Sequence, residues 1–291
     1  MSWLAKLPDL LDACIDRWSL EDCAPSPVMS YNYVCFATTA AHGPVALKIG
    51  FPHPEHDTES EALRQLNGRH TCRLIDHDAD FGALLLERLV PGVDLTTVPS
   101  AEARTLIAAD LAACLPKPLA SPPGRPLPRV ADWTARAFAR ARHEGRAPDQ
   151  LLRLLDLAEQ ALGELESPAR PLVLLHGDLN HWNILRAGAS WKAIDPKGAI
   201  GVPCFEAGRF VLNELNMTPQ EQRGAALAGM LAVFAAAMGE PEWVVAACAF
   251  VDSVLSTCWS YEEHPHGDLE DKTDTCVFLS KAYRRLHPRG V

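Results

Sequence analysis

The sequence lacks any regular pairing of cysteines. Its nine cysteines are scattered, and none forms a CxxC pair. Structural zinc sites and the disulfide frameworks of small secreted proteins both depend on regular cysteine spacing, so neither is predicted. An odd cysteine count suits a reducing compartment. The opening segment, MSWLAKLPDLLDACIDRW, carries three aspartates and is predicted as an amphipathic helix, not as a signal peptide.

Basic charge and long apolar runs are also scarce. The net charge of −10 leaves no basic excess to displace phosphate counterions, which disfavours a nucleic-acid partner and suits a cationic ligand better. The most apolar run, residues 225–239, is shorter than the roughly 20 residues that span a bilayer. A GxSxG elbow, typical of hydrolases, is absent. We expect a cytoplasmic, soluble protein without a membrane partner, either a monomer or a homodimer.

The N-terminal third alternates between strand and helix patterns. Residues 33–38 and 44–50 are rich in β-branched and aromatic residues and flank AAHG, which predicts a hairpin. Residues 58–68 predict a helix that stops at Gly68, and strands are predicted near 72–76 and 82–90. The PG pair at 91–92 ends this β-rich part.

Beyond residue 91 the pattern is mainly helical. Helices are predicted over 100–115, 132–145, 148–165, 218–239, 241–261 and 270–286, and a loop with six prolines is predicted over 116–128. Ser100 is the expected N-cap of the first of these helices; Thr218 is the expected N-cap, and Gly239 the expected end, of the fourth. The fold class is therefore α+β, with a small β-rich lobe at 1–90 and a larger helical lobe at 91–291.

Five residues, in chain order, match the groups needed for phosphoryl transfer. Lys48 lies on a predicted strand, and Glu59 precedes the apolar stripe of the next helix, with Glu61 as a competitor in the same turn. Asp178 and Asn183 are five residues apart in HGDLNHWN, and Asp195 ends the following apolar strand. Taken alone, Lys48 would be interpreted as a lysine that points to solvent from an edge strand, and Glu59 as a solvated glutamate in the first turn of a helix. Together, the five predict a base near an acceptor hydroxyl, two metal ligands, and a lysine held by a glutamate.

The motifs LLHGDLNHWNIL and AIDPKG resemble those of the aminoglycoside phosphotransferases. This family has the protein-kinase-like fold, and the chain looks most similar to its streptomycin 6-phosphotransferase and hydroxyurea kinase subgroup. The resemblance implies that Asp178 is the catalytic base, that Asn183 and Asp195 bind Mg²⁺, and that Lys48 clamps the phosphates of ATP or GTP. It also implies that Glu59 holds Lys48.

The segment LLLERL resembles the family's inter-lobe hinge, so the backbone of Glu87 and Leu89 is expected to meet the adenine. Three departures stand out. The segment SPVMSYNYVCF lacks a glycine-rich phosphate flap, so Ser30 and neighbouring amides would form the cradle. DPK replaces the kinase DFG, which removes the phenylalanine that drives an inactive state. Glu206 stands where the family usually has a structural aspartate.

The acceptor site is the least defined part of the sequence. Residues 261–274 hold six acids and one lysine, so Glu262 and Glu263 are candidate ligands for a cationic acceptor, although a solvated loop gives the same pattern. Asp252 lies within an apolar helix and needs a partner, which could be substrate or a structural hydrogen bond.

The favoured function is phosphorylation of a hydroxyl on a streptomycin-like aminoglycoside, which confers resistance. A kinase for another hydroxylated small molecule (hydroxyurea, a peptide antibiotic or a metabolite) and a nucleotide-binding pseudokinase are the alternatives.

Overall fold

A computed structural model describes residues 3–27, 31–51, 53, 55–119, 126–143, 147–167, 170–264 and 270–289. The helices are α1 Trp3–Trp18, α2 Glu55–Leu66, α3 Ala101–Cys114, α4 Val130–His143, α5 Asp149–Leu165, α6 Glu206–Met217, α7 Arg223–Met238, α8 Glu242–Glu263 and α9 Glu270–Leu286. The strands are β1 Glu21–Pro25, β2 Tyr33–Thr39, β3 Gly43–Ile49, β4 Leu74–Asp78, β5 Ala83–Glu87, β6 Pro91–Asp94, β7 Val173–Leu175, β8 Ile184–Ala187, β9 Ser190–Ala193 and β10 Ala199–Gly201.

A five-stranded antiparallel sheet in the order β1-β2-β3-β5-β4 forms the N-terminal part. Successive side chains of a strand point to opposite faces. On β3, Val45, Leu47 and Ile49 therefore pack with the partly buried apolar residues of α1. Ala46 and Lys48 point the other way, toward a cleft that Ala46, Lys48 and Leu86 line. Strand alternation thus places the predicted lysine in the cleft.

The strand pairing changes where the sequence predicts the boundary between lobes. β5 ends at Glu87, and β6 pairs with β8 in a separate three-stranded sheet, β6-β8-β9. The division into domains at 1–90 and 91–291 stays a prediction, although the change of sheet between Glu87 and Pro91 agrees with it. β1, which the sequence analysis missed, adds an edge strand whose residues are mostly exposed.

The α8 helix is the centre of the helical part. Fifteen of its 22 residues are buried, and it packs in the same core as apolar residues of α4, α5, α6, α7 and α9. Among the described residues it is the one helix long and apolar enough to cross a bilayer, but 83% of its apolar window is buried inside the protein. The pattern is that of a core helix.

One predicted helix start was wrong. Thr218 does not cap α7; its hydroxyl donates to the Glu214 carbonyl, 2.7 Å away in the last turn of α6. A short 3₁₀ turn over Gln220–Gln222 follows, and α7 begins only at Arg223. Because the helix starts five residues after Thr218, this residue does not lie at the N-cap position of α7. The predicted end is confirmed, because Gly239 takes the left-handed C-cap conformation with φ 68°.

The α2 helix is fastened to the C-terminal part at both ends. Near its start, the Thr58 hydroxyl donates to the Lys197 carbonyl at 2.6 Å. At its end, the Lys117 ammonium donates to the carbonyls of Gln65 and Leu66, at 3.1 and 2.8 Å. A Cβ at Gly198 would lie only 2.6 Å from the Thr58 carbonyl oxygen, so this close approach requires glycine.

The chain after α2 also crosses to the second part. Cys72 N–H donates to the Ala193 carbonyl at 2.9 Å, and Ala193 N–H donates to the His70 carbonyl at 2.8 Å. Two backbone hydrogen bonds therefore join this segment to β9.

Candidate active site

Lys48 is the centre of a buried ionic cluster. Its ammonium donates to both carboxylate oxygens of Glu59, at 2.8 and 2.7 Å, and contacts Asp195. Lys48 and Glu59 are 6% and 5% exposed, so both charges have been taken out of water. Burial acts to lower the pKa of Lys48, but the two carboxylates outweigh it and hold that pKa above its usual value. Burial raises the pKa of Glu59, and the Lys48 ammonium opposes that rise. The lysine therefore stays charged.

Glu61, the competing candidate for the lysine's partner, points elsewhere. Its carboxylate accepts from Arg64 and Gln65, each at 2.6 Å, within the same helix. The predicted contact between Lys48 and Glu59 is thus present, and the buried Glu61 pairs with other residues of α2.

The segment from β7 to β8 holds Asp178 and Asn183 through its own buried groups. The buried Glu206 carboxylate accepts from the backbone N–H of His176 and Gly177, at 2.5 and 3.2 Å. Burial raises the pKa of Glu206 to about 7, against the pull of those two donors. Glu206 therefore holds the loop backbone, as expected for a structural acid at this position.

His176 joins the loop to the strand that ends at Asp195. Burial lowers the pKa of His176, so the ring is neutral. Its Nε2–H donates to the Ile194 carbonyl at 2.8 Å, and its Nδ1 accepts from Asp178 N–H at 3.3 Å. The ring fixes the backbone positions of Asp178 and Asp195 relative to each other.

Beneath the loop, His181 is fully buried and stacks on Phe210 with ring centroids 4.3 Å apart. Its Nε2 donates to Glu214 at 2.7 Å, and the same carboxylate accepts from Arg104 at 2.9 and 2.5 Å. Burial acts to raise the pKa of Glu214, but the bonds from His181 and Arg104 prevail and lower it to about 2. This ion pair supports the loop from α3 and α6.

The two predicted metal ligands present oxygen atoms to one cleft. The Asn183 amide nitrogen donates to the Asp178 carbonyl at 3.0 Å, which turns the amide oxygen away from that loop. Asp195 has φ 61°, a left-handed conformation, at the end of the strand, and its side chain is 48% exposed. Asn183 and the residue before Asp195 share a backbone hydrogen bond of 2.8 Å. One carboxylate and one amide oxygen form a donor set that suits Mg²⁺ completed by phosphate oxygens and water.

A cleft of about 770 Å³ lies between the two parts of the protein. Lys48, Glu59, Asn183 and Asp195 line it on one side, and Glu87 and Leu89 line it on another. The Glu87 side chain binds Lys192 at 2.8 Å and accepts from Arg73 N–H at 3.0 Å. Its own N–H donates to the Arg73 carbonyl at 2.8 Å, so the backbone carbonyl is the group left for a base. Contact between adenine and these backbones stays a prediction. Ser30, the expected phosphate contact, lies outside the described residues.

Trp182 is the most exposed side chain of the motif loop, the residues 176–183 between β7 and β8. It is 54% exposed, lines the cleft and precedes the candidate ligand Asn183. Asn180 caps the turn that carries it, accepting from the N–H of Trp182 and Asn183 at 3.0 Å each. An exposed ring at this position is available to a ligand in the cleft.

Of the predicted acceptor residues, Asp252 is buried and Glu262 is paired. Asp252 is 3% exposed and accepts from Arg209 at 3.1 Å, and burial raises its pKa in opposition to Arg209. Glu262 accepts from Arg140 at 2.6 Å. Glu263 is exposed at the end of α8, and Asp268 lies outside the described residues.

The sequence analysis missed three residues around Asp178. Arg209 lies on α6, with its Nε 3.5 Å from Asp178 Oδ1. Trp259 and Ser256 lie on α8; Trp259 has the Lys197 ammonium 4.6 Å from its ring, and Ser256 accepts from Arg209 at 2.8 Å. Ser256 and Trp259 follow Asp252 by four and seven residues, so helical spacing from that buried acid could have found them.

The small β-rich part, the helical part and the ionic cleft between them define the protein-kinase-like fold. A solved amicoumacin kinase in complex with AMP-PNP and Ca²⁺ has this arrangement, with a TM-score of 0.65, 12% sequence identity, and coverage of 98% of this chain and 96% of that chain. At this identity the likeness shows the fold alone. The chain belongs to the family described as aminoglycoside/hydroxyurea antibiotic resistance kinase, whose profile matches residues 20–264.

Two relatives of the chain correspond to the two substrates in that family description, an aminoglycoside and hydroxyurea. The chain is 31% identical over 206 residues to a streptomycin 6-kinase of Streptomyces griseus, covering 70% of this chain and 66% of that protein. It is 34% identical over 204 residues to a hydroxyurea phosphotransferase of Kitasatospora aureofaciens, covering 69% of this chain and 59% of that protein. The matched region is thus less than two thirds of each relative's own length.

Proposed function

We propose that the protein is an ATP-dependent small-molecule phosphotransferase. The observation that carries this proposal is the convergence at one cleft of the Lys48–Glu59–Asp195 cluster and Asn183, whose amide also donates to the carbonyl of Asp178. A pseudokinase usually lacks at least one of these groups, and all are present here. The family membership and the named kinases among the relatives agree with the proposal.

Each side chain then has a defined task. Lys48, held by Glu59, neutralises phosphate oxygens of the nucleotide, and Asp195 and Asn183 are the residues that would hold Mg²⁺. When bound there, the ion would supply positive charge next to the phosphates. Glu59 itself stays away from the nucleotide, because both its oxygens are used by Lys48. Backbone groups of Glu87 and Leu89 receive the base, either adenine or guanine.

Asp178 is the base for the acceptor hydroxyl. The acceptor O–H bond breaks and its proton passes to a carboxylate oxygen of Asp178. The acceptor oxygen bonds to the γ-phosphorus, and the bond from that phosphorus to the bridging oxygen breaks. Its electron pair leaves with the nucleoside diphosphate.

The acceptor we propose is a hydroxyl of a streptomycin-like aminoglycoside, whose phosphorylation would confer resistance. The relative at 31% identity supports this acceptor. Hydroxyurea is the second candidate, because the relative at 34% identity acts on it and because two cations, Arg209 and Lys197, lie close to Trp259 beside Asp178. Those two cations would repel a cationic antibiotic, but they would not repel a small neutral acceptor.

The test is a screen of acceptor-dependent ADP release with Mg-ATP. The panel contains streptomycin, other aminoglycosides, hydroxyurea and a hydroxylated peptide antibiotic, and the product is identified by the mass of the added phosphoryl group. Asp178→Asn is run in parallel to exclude a contaminating kinase. If no acceptor raises ADP release above that variant, the proposed function is wrong.

A further inference from the structure

Arg209 and the candidate metal ligand Asn183 lie near different carboxylate oxygens of the candidate base. One carboxylate oxygen of Asp178, Oδ2, lies 3.4 Å from the Asn183 amide nitrogen, and the other, Oδ1, lies 3.5 Å from Arg209 Nε. The latter distance is longer than an N–H···O hydrogen bond, so the guanidinium attracts Oδ1 by charge without occupying its lone pairs. Oδ1 therefore remains able to accept a proton from an acceptor hydroxyl.

Three residues of α8 hold the guanidinium in this position. Asp252 Oδ1 accepts from Nη2 at 3.1 Å and Ser256 Oγ accepts from Nη1 at 2.8 Å. The Trp259 ring lies 5.9 Å from Cζ. These residues are spaced by four and three along the helix, so they share one face of it. The planar fork of arginine allows all three contacts at once, which the single ammonium of lysine cannot reproduce.

Asp252 cannot reach a substrate in this arrangement. One of its carboxylate oxygens is bonded to Arg209, and the other is buried without a partner among the described residues. A carboxylate with no accessible oxygen acts only through the group that it touches. That group is Arg209, whose own Nε is likewise buried and has no hydrogen-bond partner in the described structure.

We propose that Asp252 and Arg209 are a positioning pair for the base: Asp252 fixes the guanidinium of Arg209, and Arg209 orients the Asp178 carboxylate toward the acceptor. This inference rests on the proposed phosphotransferase function. In place of direct substrate binding, this inference gives Asp252 an indirect role. Asp252 on α8 contacts Arg209 on α6, and Arg209 faces Asp178 in the loop between β7 and β8. A change at either residue should therefore lower turnover more than it weakens ligand binding.

The first measurement compares Arg209→Lys, Arg209→Met and Asp252→Asn with the wild type. We expect kcat to fall roughly 10- to 100-fold in Arg209→Met, because a small misplacement of a catalytic group costs up to about 100-fold. Arg209→Lys should retain an intermediate rate, and Asp252→Asn should lose less than Arg209→Met. The KM for Mg-ATP and for the acceptor should change less than about threefold, because positioning acts in the transition state.

Arg170→Lys is the matched control. Arg170 also pairs with a carboxylate, Glu240 at 3.5 Å, and lies 5.3 Å from a tryptophan ring, that of Trp243. Among the described residues, its side chain pairs with Glu240 and Trp243 and not with the candidate site, so kcat should stay within about twofold of the wild type. Because Arg209→Met could fail to fold, thermal unfolding and Mg-ATP binding are measured for every variant. Arg209→Lys and Asp252→Asn keep the test valid if Arg209→Met is unstable.

The second measurement is a double-mutant cycle on kcat with Asp178→Asn. If Arg209 acts through Asp178, Arg209→Lys should lower the residual kcat of Asp178→Asn by less than about twofold. Independent effects that multiply, or a loss confined to KM, would overturn the positioning role. If the wild type phosphorylates no acceptor, the proposed function fails separately. The same cycle is then measured with Mg-ATP hydrolysis, in which water takes the place of the acceptor. If Arg209→Lys lowers the hydrolysis rate by the same factor in the wild type and in Asp178→Asn, this inference is wrong too.

Discussion

The carboxylate of Asp178 is placed by its neighbours and not by the strand before it. His176 fixes its backbone, Asn183 and Arg209 face its two oxygens, and Glu206 holds the preceding amides. The carboxylate itself is partly open to solvent. At the scale of single residues, the candidate base is therefore a small, partly open carboxylate held by buried and partly buried neighbours.

Replacing Asp178 with asparagine should remove the proton-accepting carboxylate and keep a side chain of nearly the same shape. We expect kcat to fall by about 10²- to 10⁴-fold, the usual contribution of a general base. Mg-ATP affinity should stay close to that of the wild type, because the metal ligands and Lys48 are untouched. Single-turnover kinetics and equilibrium nucleotide binding on the folded variant measure both. Near-normal turnover would show that another group takes the proton.

Replacing Lys48 with methionine should affect the nucleotide first. A charge-assisted contact to phosphate is lost, which at about 1.5–3 kcal/mol corresponds to a roughly 10- to 100-fold weaker Kd for Mg-ATP. Glu59 and Asp195 also lose the cation that both of them contact. Titration of Mg-ATP against Lys48→Met measures the effect, with the exposed Lys281→Met as control. Equal affinity in the two variants would remove Lys48 from the phosphate site.

At the scale of elements, one acid of α6, Glu214, ties α3 to the loop that carries Asp178. Glu214 of α6 binds Arg104 of α3 and His181 of the loop, and its pKa is lowered to about 2 from an ordinary 4.5. A lowered folded-state pKa stabilises the folded protein above pH 4.5, and that stabilisation is lost as the pH falls toward 2. The shift corresponds to about 3 kcal/mol at neutral pH.

Glu214→Gln should therefore destabilise the protein at pH 7 and matter progressively less in acid. Urea unfolding of both proteins at pH 7, 5, 4 and 3.5 gives the difference in unfolding free energy at each pH. We expect a difference of about 2–3 kcal/mol at pH 7 that shrinks below pH 4.5. A difference that is the same at every pH would mean that the charge of Glu214 contributes nothing.

The elements that the sequence predicts well are those with a strong local pattern. β2 and β3 alternate, α3 has Ser100 as its cap, and the loop that carries Asp178 follows an apolar strand. The exposed edge strand β1, with the sequence EDCAP, has no such pattern and was missed. The contact between Arg209 and Asp252 joins two helices that are 43 residues apart in sequence, and no local spacing specifies a partner across that distance.

At the scale of the whole molecule, net charge and local charge give different expectations for the acceptor. The chain carries −10, which attracts cations in general. Near Asp178, however, Arg209 and Lys197 offset Asp178 and Asp252, and Glu262 is already bound to Arg140. Attraction of a cationic acceptor would then depend on the exposed end of α8, where Glu263 lies.

Neutralising that end tests the charge of the acceptor. If the acceptor is a polycation, Glu262→Gln with Glu263→Gln should raise its KM several-fold at low salt while kcat changes little. The effect should fade at high salt, because the Debye length is about 8 Å at physiological ionic strength and shorter above it. Asp9→Asn with Asp12→Asn on α1 removes the same charge from another surface and is the control. If both double variants respond alike, the end of α8 does not bind the acceptor.

The attachment of α2 at both ends affects how such a protein can be controlled. Thr58, Lys117 and the close approach at Gly198 hold both ends of the helix that carries Glu59, so moving Glu59 away from Lys48 with that helix would break these contacts. Enzymes that toggle this kind of helix can be switched off after synthesis by a bound partner or a phosphate group. Here the cluster is complete as soon as the chain has folded. Under the proposed function, we expect activity in the cell to follow the amount of folded protein, which synthesis and degradation set.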